Sequence, residues 1–258
     1  MPLTRTLQEV VFAVHFAGPI PFTIGDVANW IGRHGGEEAA VQQLDHLARV
    51  ELPLPGQAMA PSFQLIPHDA SGLPRIRLRA PDGVTLYILQ DDRVAFGWQR
   101  DAEVGVDVEY PGYDVLRERW SKEVEKFDAW MRATVPATLA PRLVELSYNN
   151  AFPLEVAGER RRMSEIFKFI DVDYRPVNAF HVSWSEFLAP ALGEGAVTAQ
   201  AGLTTAPPGQ RVLAVNYFGL GAVDEVSEEV GLAEVVMRGL DKLHDRILDM
   251  HQSAIKSV

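Results

Sequence analysis

The chain has 258 residues, a 47% hydrophobic fraction and a formal net charge of −11. That is apolar material for a full core, in one large domain or two small ones, and a charge that repels phosphate backbones, so broad nucleic-acid binding is not expected. Cysteine is absent, which excludes disulfides and thiolate metal sites. No apolar run reaches the roughly 18 residues of a bilayer span, and Met1-Pro2-Leu3-Thr4-Arg5 lacks the layout of an export signal, so no membrane association and a cytoplasmic address are expected.

Glu9 to Phe16 alternates and is rich in Val and Phe, which predicts a strand. Val10, Phe12, Val14 and Phe16 share one face, and Val11, Ala13 and His15 the other. Pro19 and Pro21 end it. Thr23 caps a short helix through Trp30 and Ile31, broken at Gly35-Gly36. A second helix is predicted over Glu37 to Val50, with Val41, Leu44 and Leu47 on one side. Leu52 to Leu73, with prolines at 53, 55, 61 and 67, reads as an irregular stretch packed on the core surface through Phe63, Leu65 and Ile66. Three strands follow: Arg75 to Ala80, Val84 to Gln90 and Arg93 to Arg100. The turns Pro81-Asp82-Gly83 and Asp91-Asp92 are too short for parallel crossovers, so they form an antiparallel meander. Asp114 is a predicted N-cap. Behind it Tyr113, Leu116, Trp120, Val124, Phe127 and Met131 make one apolar stripe, until Pro136 and Pro141 stop the helix.

The second half repeats this order. Leu143 to Phe152 reads as a strand, Met163 to Phe169 as a short helix and Ala179 to Ser183 as a strand. Ala196 to Thr204 and Arg211 to Phe218 form a strand pair around Pro207-Pro208-Gly209. Ser227 is the predicted cap of a final helix whose stripe is Leu232, Val236, Leu240, Leu243, Ile247, Met250 and Ala254. The fold class expected is α+β. It is pseudo-duplicated as strand, insert, antiparallel strands and long helix, with residues 1–136 and 137–258 as halves of one unit. Two long helices would pack on one face of a curved antiparallel sheet.

No phosphate-cradling glycine loop, Gly-x-Ser-x-Gly elbow or His-Glu-x-x-His is present, and no catalytic residue, cofactor or metal is assigned. His15, Tyr148, Asn149, Asn150, Asn216 and Tyr217 are polar positions on predicted strands, where Asn is disfavoured. Of these, His15, Tyr148, Asn149 and Asn216 are the candidate ligand-binding set if they converge on one sheet face. A satisfied hydrogen-bond network is the plainer alternative. His244 and His251 share a helix face near Asp241, Asp245 and Asp249, as metal ligands or as members of i,i+4 pairs with Lys242 and Arg246. Asp91 and Asp92 could pair with Asp107 and Glu109 as a cation site, or simply favour a turn, and Asp171 and Asp173 are as ambiguous. Arg75, Arg77 and Arg79 project from one strand face. They are either an anion-binding row or an ordinary edge strand. Between Asp224 and His251 eight acidic residues oppose three basic ones. Asp241, Asp245 and Asp249, together with the basic run Arg160, Arg161 and Arg162, are therefore the candidate partner-binding residues.

Several stretches resemble a known family. They are Glu9-Val10-Val11-Phe12, Leu89-Gln90-Asp91-Asp92-Arg93-Val94-Ala95-Phe96-Gly97-Trp98, Tyr110-Pro111-Gly112-Tyr113, Tyr148-Asn149-Asn150 and Leu240-Asp241-Lys242-Leu243-His244-Asp245. Together they are similar to the "sporadically distributed" family of prokaryotic hypothetical proteins, of about this length and with no settled activity. The family usually carries Asn before the Trp, where Gly97 stands here. The resemblance implies a prokaryotic accessory gene, of the kind found in toxin–antitoxin or defence modules. The first expectation is thus a non-enzymatic acidic protein that engages a protein partner through its acidic helix or its sheet face, as an antitoxin does. The alternative is an enzyme for a small or nucleotide-like molecule, with its pocket on the sheet face. A nucleic-acid role for the Arg clusters is a third reading, and exposed Trp98 or Trp184 would leave homo-oligomers open.

Overall fold

A computed structural model describes residues 6–35, 40–47, 65–66, 75–100, 108–135, 140–156, 159–160, 162–170, 181–188, 195–206, 210–224 and 230–256. The described elements in chain order are β1 (Leu7–Phe16), α1 (Ile24–Gly35), β2 (Ala40–Leu44), β3 (His46–Leu47), β4 (Leu65–Ile66), β5 (Arg75–Arg79), β6 (Thr85–Gln90), β7 (Arg93–Gln99) and α2 (Tyr113–Thr134). They continue with β8 (Pro141–Pro153), β9 (Glu155–Val156), β10 (Glu159–Arg160), α3 (Met163–Ile166), β11 (His181–Phe187), β12 (Gly195–Ala206), β13 (Gln210–Ala222) and α4 (Leu232–Ala254).

Nine strands form one sheet in the order β11-β12-β13-β8-β1-β7-β6-β5-β2, and every pairing in it is antiparallel. The α+β class and the β5–β6–β7 meander are as the turns dictate, because a connection of two to five residues leaves no room for a crossover. β1 and β8 are neighbours at the middle of the sheet, with Val10 opposite Tyr148 and Phe12 opposite Leu146.

Alternation places Val10, Phe12, Val14 and Phe16 in the main core, where α2 and α4 also bury their stripes. Phe12 lies between Phe96 of β7 and Trp120 of α2, with ring centroids 5.6 and 5.3 Å away. Helix α2 buries Leu116, Trp120, Val124, Phe127, Trp130 and Met131. Its N-cap is Gly112, not Asp114. The backbone there turns through φ 95°, a left-handed conformation that glycine reaches without a Cβ penalty. Helix α4 buries all seven residues of its predicted stripe. It begins at the Gly231 cap, and Ser227 lies outside the described residues. Gly239 lets α4 approach β8, since a Cβ there would stand 2.8 Å from a Val144 methyl. At α1, Thr23 Oγ1 accepts the Asp26 N–H at 3.2 Å while Asp26 Oδ2 accepts the Thr23 N–H at 2.8 Å, a reciprocal cap. No helix of the described residues is long and apolar enough to cross a membrane.

The helix expected over Glu37 to Val50 is not formed in its described part, residues 40–47. Ala40–Leu44 is an edge strand paired with β5, and His46–Leu47 pairs with Leu65–Ile66. Its Val41, read as part of a helical stripe, is 50% exposed. An edge strand offers no buried face to impose alternation, so three apolar residues at helical spacing mislead there. Most of the predicted irregular stretch, including Phe63, lies outside the described residues.

Candidate functional site

The sheet face away from the α2 and α4 core is built by the other half of each strand's alternation. Asn149 of β8 stands opposite Asn216 of β13, and Asn216 opposite Gln200 of β12. Three primary amides therefore lie in a row across adjacent strands, one strand spacing of about 4.8 Å apart. One position along, Ser147, Phe218 and Thr198 make a second row. A cleft of about 240 Å³ opens over these rows, lined among others by Glu9, Glu145, Arg75, Asn149, Asn216 and Gln200.

A hydrogen-bond chain crosses the face from β5 to β8. Arg77 Nη2 and Arg79 Nη2 both donate to Gln99 Oε1 at 2.7 Å. Gln99 Nε2 donates to Glu9 Oε2 at 2.9 Å, and Asn149 Nδ2 donates to Glu9 Oε1 at 3.0 Å. Both Glu9 oxygens are thus occupied. Burial pushes the Glu9 carboxyl above the ordinary range, against the pull of Arg77 and of the Asn149 hydrogen bond. Asn216 is exposed, and it and Gln200 have no side-chain hydrogen-bond partner among the described residues.

His15 lies on the same face but below its surface. It is 1% exposed, and its Nε2 meets Glu145 Oε2 at 2.9 Å. The strand pair β3–β4 lies at this end of the face, where the Leu47 N–H donates to Gln90 Oε1 at 3.0 Å and Gln90 Nε2 donates back to the Leu47 carbonyl at 2.9 Å. Asp92 is held by Arg93 Nε at 2.8 Å and by Gln90 Nε2 at 2.8 Å. Burial favours its neutral form, but the Arg93 contact outweighs this and keeps the carboxyl below the ordinary range. Asp92 therefore serves the β6–β7 turn. Its proposed cation partner Asp107 lies outside the described residues, as do Asp171 and Asp173.

Tyr148 does not join His15, Asn149 and Asn216. It points to the helix side, where its hydroxyl shares a 2.8 Å hydrogen bond with His244 Nδ1. His244 stacks on Tyr113 at 3.6 Å. Tyr217, opposite Tyr148 in the ladder, shares a 2.9 Å bond with His251 Nδ1. Two histidines one heptad apart on α4 thus meet two tyrosines on neighbouring strands. Burial lowers the pKa of both imidazoles, that of His251 to about 4, and raises those of both phenols. These are satisfied polar contacts inside the core. Among the described residues no group of three His, Asp or Glu comes together to hold a metal ion. Asn150 also faces the core and donates to the Val215 carbonyl at 3.2 Å.

The acidic helix is largely matched within the chain. Asp241 accepts from Arg117 Nε at 2.6 Å, Arg117 Nη2 at 2.7 Å and Tyr113 Oη at 2.8 Å, so it ties α4 to α2. Arg246 pairs with Glu186 and lies 3.8 Å from Asp249, while Arg238 pairs with Glu234. Asp245 is exposed. Arg162 precedes α3 as its N-cap, the Arg160 side chain and all of Arg161 lie outside the described positions, and Trp98 is buried. The Arg117 and Asp241 side chains are 40% and 38% exposed, so water screens the pair. A double-mutant cycle with Arg117→Ala and Asp241→Ala, followed by urea unfolding, is expected to give a coupling below about 1 kcal/mol.

Sequence reading missed Glu9, Glu145, Gln99 and Gln200 as site residues. Each is a polar side chain at the correct parity on its strand, but only the inter-strand register brings them to one place. No protein-family model matches the chain, and no curated protein matches it.

Proposed function

We propose that this chain is a non-enzymatic binding protein that takes its ligand on the polar sheet face, over the amide row Asn149, Asn216 and Gln200. The observation that carries this reading is that two of these amides, Asn216 and Gln200, lie in a cleft of about 240 Å³ with no side-chain hydrogen-bond partner among the described residues. Polar groups placed in a concavity and left unpaired fix a ligand's orientation. His15 supports a binding role over a catalytic one. It is sealed at 1% exposure against Glu145 and does not reach a ligand lying on the face.

The wider setting belongs to the same proposal. The chain is a pseudo-duplicate whose halves meet at β1 and β8, with two long helices side by side on the other face. In support, β1 through α2 and β8 through α4 run through a comparable order of elements, and β1 and β8 pair at the middle of the sheet. The sequence likeness to the sporadically distributed prokaryotic family supports a cytoplasmic accessory protein of antitoxin or defence type. A protein partner docked on α4 is the second reading, favoured by the exposure of Asp245 and Asp249.

The test is retention of small molecules. The full chain, incubated with a host metabolite extract and desalted, is expected to carry a ligand visible by native mass spectrometry. The Asn216→Ala/Gln200→Ala double variant, at the two amides outside the internal network, should lose it at an unchanged melting temperature. Equal retention by both proteins would remove the amide row from the site.

A further inference from the structure

The structure assigns the cleft an anionic ligand: we propose that Arg75 receives a carboxylate or phosphate group while the amide row holds the rest of a small polar molecule. This inference rests on the reading of the sheet face as the binding surface and adds the charge of what binds there.

Three observations carry it. First, Arg75 lines the cleft, and its Nε is buried with no hydrogen-bond partner among the described residues. A buried guanidinium donor left unpaired costs the folded state, and an anion would satisfy it. Its neighbours differ: Arg77 and Arg79, two and four residues along the same strand, already donate to Gln99. Second, the carboxylates on the face are engaged elsewhere. Glu9 accepts from Gln99 and Asn149, and Glu145 holds His15; among the described residues neither forms an ion pair with Arg75. Burial and the nearby Arg93 guanidinium, the two largest influences, hold Arg75 below the usual arginine range, although Glu145 and Glu9 pull the other way. Third, the local balance opposes that of the whole chain. Around this face four arginines, Arg75, Arg77, Arg79 and Arg93, meet three carboxylates, Glu9, Asp92 and Glu145, in a protein of formal net charge −11. A cationic spot in an acidic molecule concentrates field where the ligand sits. The volume of about 240 Å³ lies below the roughly 300–1,000 Å³ of drug-sized pockets and suits a small metabolite.

The experiment is a nuclear magnetic resonance titration of the full chain with inorganic phosphate, acetate and neutral acetamide. It follows the Arg75 Nε–H signal and the side-chain amides of Asn149, Asn216 and Gln200. Phosphate or acetate should shift the Arg75 signal saturably, and whichever binds tighter names the anion. Arg75→Gln should weaken that binding by roughly tenfold or more, with the amide spectrum of the fold unchanged. Should Arg75→Gln not fold, the wild-type Arg75 shift still decides. Shifts from acetamide at the three amides, with the Arg75 signal unmoved by either anion, would overturn the anion site and leave the binding face standing. No shift anywhere on the face with any probe would overturn both.

Discussion

Truncating Trp120 to alanine is expected to lower the unfolding free energy by about 3–5 kcal/mol, the range for a buried aromatic in a packed core. Trp120 is 3% exposed and faces Phe12, itself fully buried between Trp120 and Phe96. The indole is one of two aromatic contacts through which α2 seats on β1, the other being Phe127 on Phe16, so its removal loosens the helix on the sheet as well as leaving a void. Relief by collapse is limited, because the backbone beneath is held in ladders to β7 and β8 on both sides. A cleft of about 280 Å³ already borders Trp120, so water reaches the vacated space. Urea unfolding measures this directly. A loss under about 1 kcal/mol would mean that α2 is not held by this contact.

Acidification is expected to destabilise the fold through His251. The imidazole is 8% exposed and bonded to the Tyr217 hydroxyl, and its pKa is lowered to about 4 by burial, with Lys168 adding to the effect. In the unfolded chain the same group takes a proton near the ordinary value of about 6.5. The unfolded state therefore binds more protons between those two values. Stability from this group is complete above about pH 6.5, falls as pH drops toward 4 and levels off below that. The size is roughly 3 kcal/mol at the lower end of the window. His244, also lowered by burial, acts in the same direction. Asp92 and Asp241, lowered by their arginine contacts against the effect of burial, act at lower pH, as the medium falls through and below the ordinary carboxylate range. Comparison with His251→Gln isolates the imidazole. The stability gap between the two proteins should shrink by roughly 3 kcal/mol from pH 7 to pH 4, whereas a constant gap would show that His251 titrates normally in the fold.

What the sequence discloses follows the strength of its periodicity. The α2 and α4 stripes are legible because each helix buries a single face, β5 because it alternates between a buried and a half-buried side, and β1, β6 and β7 because β-branched and aromatic residues run between turn signals. β2 is not legible: Ala40–Leu44 lies at the sheet edge and is mostly exposed, so nothing in its pattern reports a strand. For the site, local alternation goes only part of the way. It already separates Tyr148 from Asn149, since neighbours in a strand face opposite sides. It also puts His15 with Val11 and Ala13. It does not bring Asn149 to Asn216, 67 residues apart, or Glu9 to Asn149, because register between distant strands is fixed by tertiary pairing. The charge balance of the acidic run near the C-terminus is only partly legible for a related reason. Part of its balance is local, in Arg238 and Arg246, but the cation that meets Asp241, Arg117 on α2, arrives from elsewhere in the chain.

The most direct measurement is a map of where small polar molecules bind, taken as amide chemical-shift changes on the intact chain during addition of a mixed metabolite library. Recognition by the polar strands predicts saturable changes at Asn149, Asn216 and Gln200, with the outer surface of the last helix silent. Changes gathered instead around Asp245 and Asp249, with the three amides unmoved, would contradict it.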